Sequence, residues 1–318
     1  MEDFHGRRRF APPSLISLVE RRKLAVFTTL EVDVARASGP TIARWQLGRE
    51  LHRLREASRI SHKEIAAELG CSESKVYKIE SGDVGVSRAD VIVMLTRYGV
   101  DDDRIRETAL DLQRQGKERG WWAKFGQLPN PYSMYIGLES AATAVRNFEL
   151  AAVPGLLQTE RYARAIFDQQ RMTEAAAERE KRLQVRMARQ ACLTEEPLLH
   201  LWTIIDESAL HREVGGREVL REQLLHLVEM SKRDNVDIQV LPYSEGAHPG
   251  MLGSVAILEF PEDVHTPVAY VESFAGDVYL ERAEDMRRVT LAYTHLHSSA
   301  LSSTRSRQLM AEVARSLA

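Results

Sequence analysis

Eight residues able to contact a nucleic acid crowd into one short span: His62, Lys63, Ser72, Glu73, Ser74, Lys75, Tyr77 and Lys78. Lysines can neutralise phosphates or donate to guanine, a glutamate can accept from the cytosine amino group, and serines can serve either base edge or backbone. His62 opens a helix whose N-terminal amides and positive dipole end suit a phosphate. The competing reading is a solvated polar helix face that never meets DNA. What favours the first is the spacing of the residues between them.

Those residues describe two short helices and a tight turn. Ser61–Leu69 forms the first helix, Gly70 supplies a backbone free to adopt positive φ, and a second helix runs from Ser72 to Glu80. Ala66 is small enough for a close crossing, and Ile65 and Leu69 can face Val76 and Ile79. That leaves Ser72, Glu73, Ser74, Lys75, Tyr77 and Lys78 pointing outward, as the reading helix of a helix-turn-helix requires in a major groove. Two S-x-x-[DE] strings, Ser61 to Glu64 and Ser87 to Asp90, read as capping boxes that mark helix starts. Upstream, Leu47, Leu51 and Leu54 share one helical face. Downstream, Val91, Met94, Leu95 and Tyr98 do so until Gly99 stops the helix, and 101–117 reads as one more.

Charge agrees only once it is divided. The whole chain of 318 residues carries −3. Residues 1–40 hold +2 and residues 41–98 another +2, leaving −7 for the rest. The positive excess lies where DNA contact is expected and is small, so non-specific affinity should be modest. No apolar run approaches the roughly 20 residues of a membrane span, and no signal peptide follows the arginines 7–9. The two cysteines, Cys71 and Cys192, stand far apart without a motif, which fits a reducing, cytoplasmic setting.

Other candidate chemistry is weaker. Glu139, Glu160, Asp206, Glu207 and Glu272 could form an acid–base pair, but partners such as Arg146, Arg161, Arg164 or Arg189 make ion pairs the commoner outcome, and no enzyme activity is expected. His295 and His297 cannot share a helix face; with His248 and His265 they form no ligand spacing, so no metal and no cofactor is expected. Trp121, Trp122 and Phe125 read as an apolar anchor between domains. The Gly-rich loop 242–253 reads as a hairpin connection, a lid or a partner contact, and lacks a phosphate-cradle ending.

The pattern predicts an α+β protein. Residues 1–40 form a poorly ordered arm, 41–117 an all-α five-helix DNA-binding domain, 118–134 a linker, and 135–318 a regulatory or interaction domain. In that last domain helices flank a mainly antiparallel sheet. Helices are expected over 138–151, 158–170, 174–193, 216–233, 283–297 and 302–317, and strands over 198–205, 236–241, 254–260, 268–273 and 277–281.

The strings Leu54-Arg55-Glu56, Ile60 to Ala66, Leu69 to Ser72 and Val76 to Gly82 resemble the phage-repressor-type (XRE, Cro/C1) helix-turn-helix family, with its lambda-repressor-like fold. That family usually has glutamine at the start of the first helix of the motif; His62 stands there instead, which makes a phosphate contact pH-sensitive. Tyr135 to Glu139, Val153 to Glu160, Tyr162-Ala163-Arg164, Arg189-Gln190, Ile205-Asp206-Glu207, Val214 to Gly216 and Tyr270-Val271-Glu272 are similar to a C-terminal domain of unknown function found in antitoxin-like actinobacterial regulators. The resemblance implies a DNA-binding transcriptional regulator, often encoded beside a small partner protein. Expected partners are double-stranded DNA through its major groove, a second copy of the chain, and a small ligand or a co-encoded protein that the C-terminal domain senses. The alternative is an antitoxin-like protein that neutralises that partner and autoregulates. Operator sequence and the sign of regulation are not encoded legibly.

Overall fold

The computed structural model describes residues 39–318 apart from 127, 129, 171–173, 262–264 and 274–275. The expected N-terminal arm therefore lies outside the described residues, save its last two. Five helices come first: α1 (Pro40–Ser58), α2 (His62–Glu68), α3 (Glu73–Glu80), α4 (Arg88–Arg97) and α5 (Asp103–Gly116). Their starts follow the chemistry of their caps. Ser61, Ser72 and Ser87 each accept from the backbone amide three residues on, and at Ser61 the Glu64 carboxylate also reaches back to the cap amide, completing the box. At Ser87 the structure shows the serine's half of the box, while the Asp90 carboxylate lies 4.0 Å from Lys75 Nζ. Leu47, Leu51, Ile65, Ala66, Val76, Ile79, Val91, Met94 and Leu95 close one core among these helices.

The chain then continues through a 3₁₀ turn at Trp121–Phe125 into α6 (Asn130–Ala141) and β1 (Ala144–Glu149). The helix expected over 138–151 is thus overturned: it ends at Ala141, and the segment after it is a central strand. Its burial runs along both faces, because Val145 faces one core cluster and Phe148 another. A strand buried on both sides has no period-2 signature to distinguish it from a buried helix turn.

After β1 come α7 (Glu160–Gln170), α8 (Ala176–Arg189), β2 (His200–Asp206), α9 (Glu207–His211), α10 (Arg217–Met230), β3 (Val236–Leu241), β4 (Val255–Glu259), β5 (Val268–Val271), β6 (Val278–Leu280), α11 (Ala283–Ser299) and α12 (Ser303–Ser316). The sheet order is β3-β2-β1-β4-β5-β6. Three pairings are antiparallel, and β1–β2 and β2–β3 are parallel, each reached through a helical crossover. One face of the sheet is covered by side chains of α6, α7, α10 and α12, among them Leu138, Tyr162, Leu224 and Met310. The other is covered by α11 through Tyr293 and Leu296. The protein is α+β, with an all-α N-terminal part and a sheet-centred C-terminal part.

The two parts share a helix. Leu47 and Leu51 of α1 point into the five-helix core. Ile42 and Trp45, on its other side, are buried in the large core of the C-terminal part. The Trp45 ring lies 4.8 Å from that of His265, and Gly137 of α6 comes so near Thr41 that a Cβ there would sit 2.0 Å from its hydroxyl. Trp121, Trp122 and Phe125 pack with Ile136 of α6 and Val185 of α8, and Trp121 Nε1 donates to Ser140 Oγ at 2.9 Å.

Glu149, at the end of β1, gives the C-terminal part a pH dependence. Burial raises its carboxyl to about 7, against hydrogen bonds from Ser254 and Asn147 that favour the anion. A carboxyl raised in the native state binds its proton more tightly there than in the unfolded chain. Stability therefore falls as pH rises from the ordinary carboxyl range to about 7, and changes no further above it. Glu149→Gln is expected to stabilise the chain at pH 8 by up to about 3 kcal/mol, less whatever water screens at this half-buried position. At pH 5 the gain should vanish, and urea unfolding at the two pH values measures the difference.

Candidate nucleic-acid interface

The turn between α2 and α3 sets the interface. Gly70 has φ +61, a left-handed conformation that glycine adopts without steric cost. It lets Val76 and Ile79 of α3 drop onto Ile65 and Ala66 of α2 with all four buried. The opposite face of α3 is then forced outward: Ser72, Glu73, Ser74, Lys75, Tyr77 and Lys78 are all exposed, as is Lys63 on α2. Tyr77, an aromatic residue with 60% of its surface in solvent, stands out. The structure thus exposes seven of the eight predicted residues. His62 is the exception, half-buried behind Tyr77 with its ring stacked against the tyrosine at 3.9 Å and 16°.

What holds His62 there is a group of residues that sequence reading missed. Glu80, the last residue of α3, is buried and accepts from Arg55 Nε at 2.8 Å and Nη2 at 3.2 Å. The Nδ1 of His52 lies 2.8 Å from Glu80 Oε2, and the Nε2 of His62 lies 3.0 Å from the same oxygen. Arg55 also donates to the Ile60 carbonyl at 3.0 Å, bracing the chain as it leaves α1. So α1, α2 and α3 meet on one carboxylate. Burial works to raise the Glu80 carboxyl, but the hydrogen bonds from Arg55 and His52 outweigh it and keep it below the ordinary range. Gly48 makes the meeting possible: a Cβ there would sit 2.5 Å from the Glu80 carbonyl oxygen. A spacing of three between His52 and Arg55 puts both on one helical face, which is all the sequence signals of this hub.

The remaining candidates are dispersed. Glu139 is buried in a two-pronged pair with Arg189, at 2.7 and 2.6 Å. Glu160 pairs with Arg164 at 2.9 Å, whereas Arg146 and Arg161 turn to Glu259 and to Glu218 and Glu222. Asp206 accepts from the Ser208 amide at 2.9 Å and lies 3.4 Å from His248 Nε2. Glu207 accepts from the Tyr243 amide at 2.8 Å, and Glu272 is exposed. His295 and His297 are exposed on α11, and His265 is buried against Trp45, far from either in the chain. The loop 242–253 contains two 3₁₀ turns, packs Gly250 against Phe148, and presents Tyr243, Met251 and Leu252 to solvent. Cys71 and Cys192 are not joined by a disulfide. Among the described residues, no helix is long and apolar enough to cross a membrane.

Two family models match the chain. A helix-turn-helix domain covers residues 46–108, and a domain of unknown function, DUF5753, covers residues 132–312. No curated protein and no solved structure matches it.

Proposed function

The chain belongs to the DUF5753 family and carries a helix-turn-helix domain ahead of the family's domain, and from that premise we propose that it is a sequence-specific transcriptional regulator that works as a homodimer under the control of its C-terminal half. The observation that carries this reading is the outward face of α3, with Ser72, Glu73, Ser74, Lys75, Tyr77 and Lys78 exposed and Val76, Ile79 and Glu80 buried behind them. Such a face fits a major groove, with the N-terminal residues of α3 nearest the base edges. One helix-turn-helix reads only a few base pairs, so a second copy is needed for useful specificity.

Tyr77→Ala and Lys78→Ala should each weaken operator binding by about 1–3 kcal/mol and relax sequence preference, while Lys63→Ala should weaken all DNA alike. Fluorescence anisotropy with operator and scrambled duplexes at two salt concentrations separates the two behaviours. Equal losses for all three variants on both duplexes would sink the choice of reading face.

A second reading is favoured by the exposed apolar trio Tyr243, Met251 and Leu252: the C-terminal half binds a small co-encoded protein, and DNA binding serves autoregulation. Met251→Asp with Leu252→Asp would then abolish co-purification of that protein while leaving operator affinity intact.

A further inference from the structure

The geometry points to a site for a divalent transition-metal cation of the zinc class on the inner side of the helix-turn-helix, held by His52 Nδ1, His62 Nε2 and Glu80 Oε2. These three atoms come from three different helices and lie within 4.8 Å of one another. Both imidazole nitrogens are aimed at the same carboxylate oxygen, at 2.8 and 3.0 Å. A cation about 2.0–2.1 Å from nitrogen and oxygen donors holds its ligands roughly 3–3.4 Å apart, so small side-chain movements open the space. Two imidazoles and a carboxylate are a donor set that zinc takes readily, with water completing the shell.

His52 Nδ1 is 2.8 Å from Glu80 Oε2 and 3.2 Å from Arg55 Nη2. The guanidinium has carboxylate acceptors of its own, so a cation can take the His52 lone pair and the Glu80 oxygen together. Arg55 is not stranded: Nε keeps Glu80 Oε1 at 2.8 Å, and Nη2 has Glu56 Oε1 at 2.8 Å. Its positive charge does oppose a dication, which places the site in the micromolar range and well short of structural zinc. The His52 side chain is 53% exposed, giving the ion a way in, and the stack with Tyr77 holds the His62 ring in place. The three residues lie 10 and 18 positions apart, so no sequence motif announces them.

The test is titration of the untagged, chelator-stripped full chain with zinc by calorimetry, with cobalt absorption reporting the donor set. The expected result is one ion per chain with a dissociation constant of about 10 µM or tighter. His52→Gln, once its melting temperature has been checked against the parent's, should bind at least about tenfold more weakly, and His62→Gln likewise. Binding weaker than about 100-fold above that constant, or variants that titrate like the parent, would overturn the assignment. Any intermediate affinity counts for it only if both histidine variants lower it.

Discussion

Glu80→Ala should cost the chain up to about 3–5 kcal/mol of stability and with it operator binding, because it leaves a buried arginine with only the exposed Glu56 carboxylate as counter-charge. Arg55 is 4% exposed and Glu80 8%, so the Nε–H would lose its acceptor Oε1 in a buried setting, with the Ile60 carbonyl and Glu56 serving only the Nη groups. The loss would exceed that of a surface ion pair, whose worth is about 0–1 kcal/mol. Replacing both partners, with Arg55→Met and Glu80→Leu, should recover much of the deficit, since an apolar pair leaves no charge unpaired. Urea unfolding of the parent, the two single variants and the double variant closes the cycle. A single loss below about 1 kcal/mol would show that the hub is solvated after all. A double variant restored in stability yet silent toward the operator would show that the hub's further task is to carry His62 under Tyr77.

Trp45→Ala is the second large effect. The indole is 3% exposed and lies in the core of the C-terminal part, although its helix also belongs to the DNA-binding part. Emptying so large a volume costs about 3–5 kcal/mol. The measurable signature is a split: one unfolding transition in the parent, and two in the variant as each part melts by itself. Mild acid should act in the same direction, because burial and nearby Arg49 hold His265 below the ordinary imidazole range despite its bond to the Thr266 carbonyl. A histidine with a lowered native pKa contributes stability above about pH 6.5 that is lost as pH falls through that value. If Trp45→Ala melts in a single transition as high as the parent, the two parts are not held together by α1.

The five N-terminal helices were legible because each is announced locally. Ser61, Ser72 and Ser87 cap, Gly70 turns, and the apolar residues between them keep a period of 3.6. The sheet was legible where strands lie between turn residues, as at 236–241, and illegible at Ala144–Glu149, whose neighbours on both faces are apolar. The outward face of α3 could be read from the burial its spacing demands. The carboxylate behind it could not, since His52, Arg55, His62 and Glu80 converge only after three helices have packed. Nor could the second apolar stripe of α1: Ile42 and Trp45 sit off the line of Leu47 and Leu51, and apart from Gly82 beside the indole they are covered by the core of the C-terminal part.

The separation in sequence between α1 and that core has a consequence for the order in which the chain can be made. His265, against which Trp45 rests, follows it by roughly 220 residues. At about 5–20 residues per second, a ribosome needs something between ten seconds and most of a minute to bridge that gap. Throughout that interval the five helices can close on Leu47, Leu51, Val76 and Met94, but the indole, lying against Gly82 on one side, lacks His265 and the core of the C-terminal part on the other. The DNA-reading half thus emerges first and can close its own core first, while the face of α1 that carries Ile42 and Trp45 is fully covered only once the sheet behind it has been assembled.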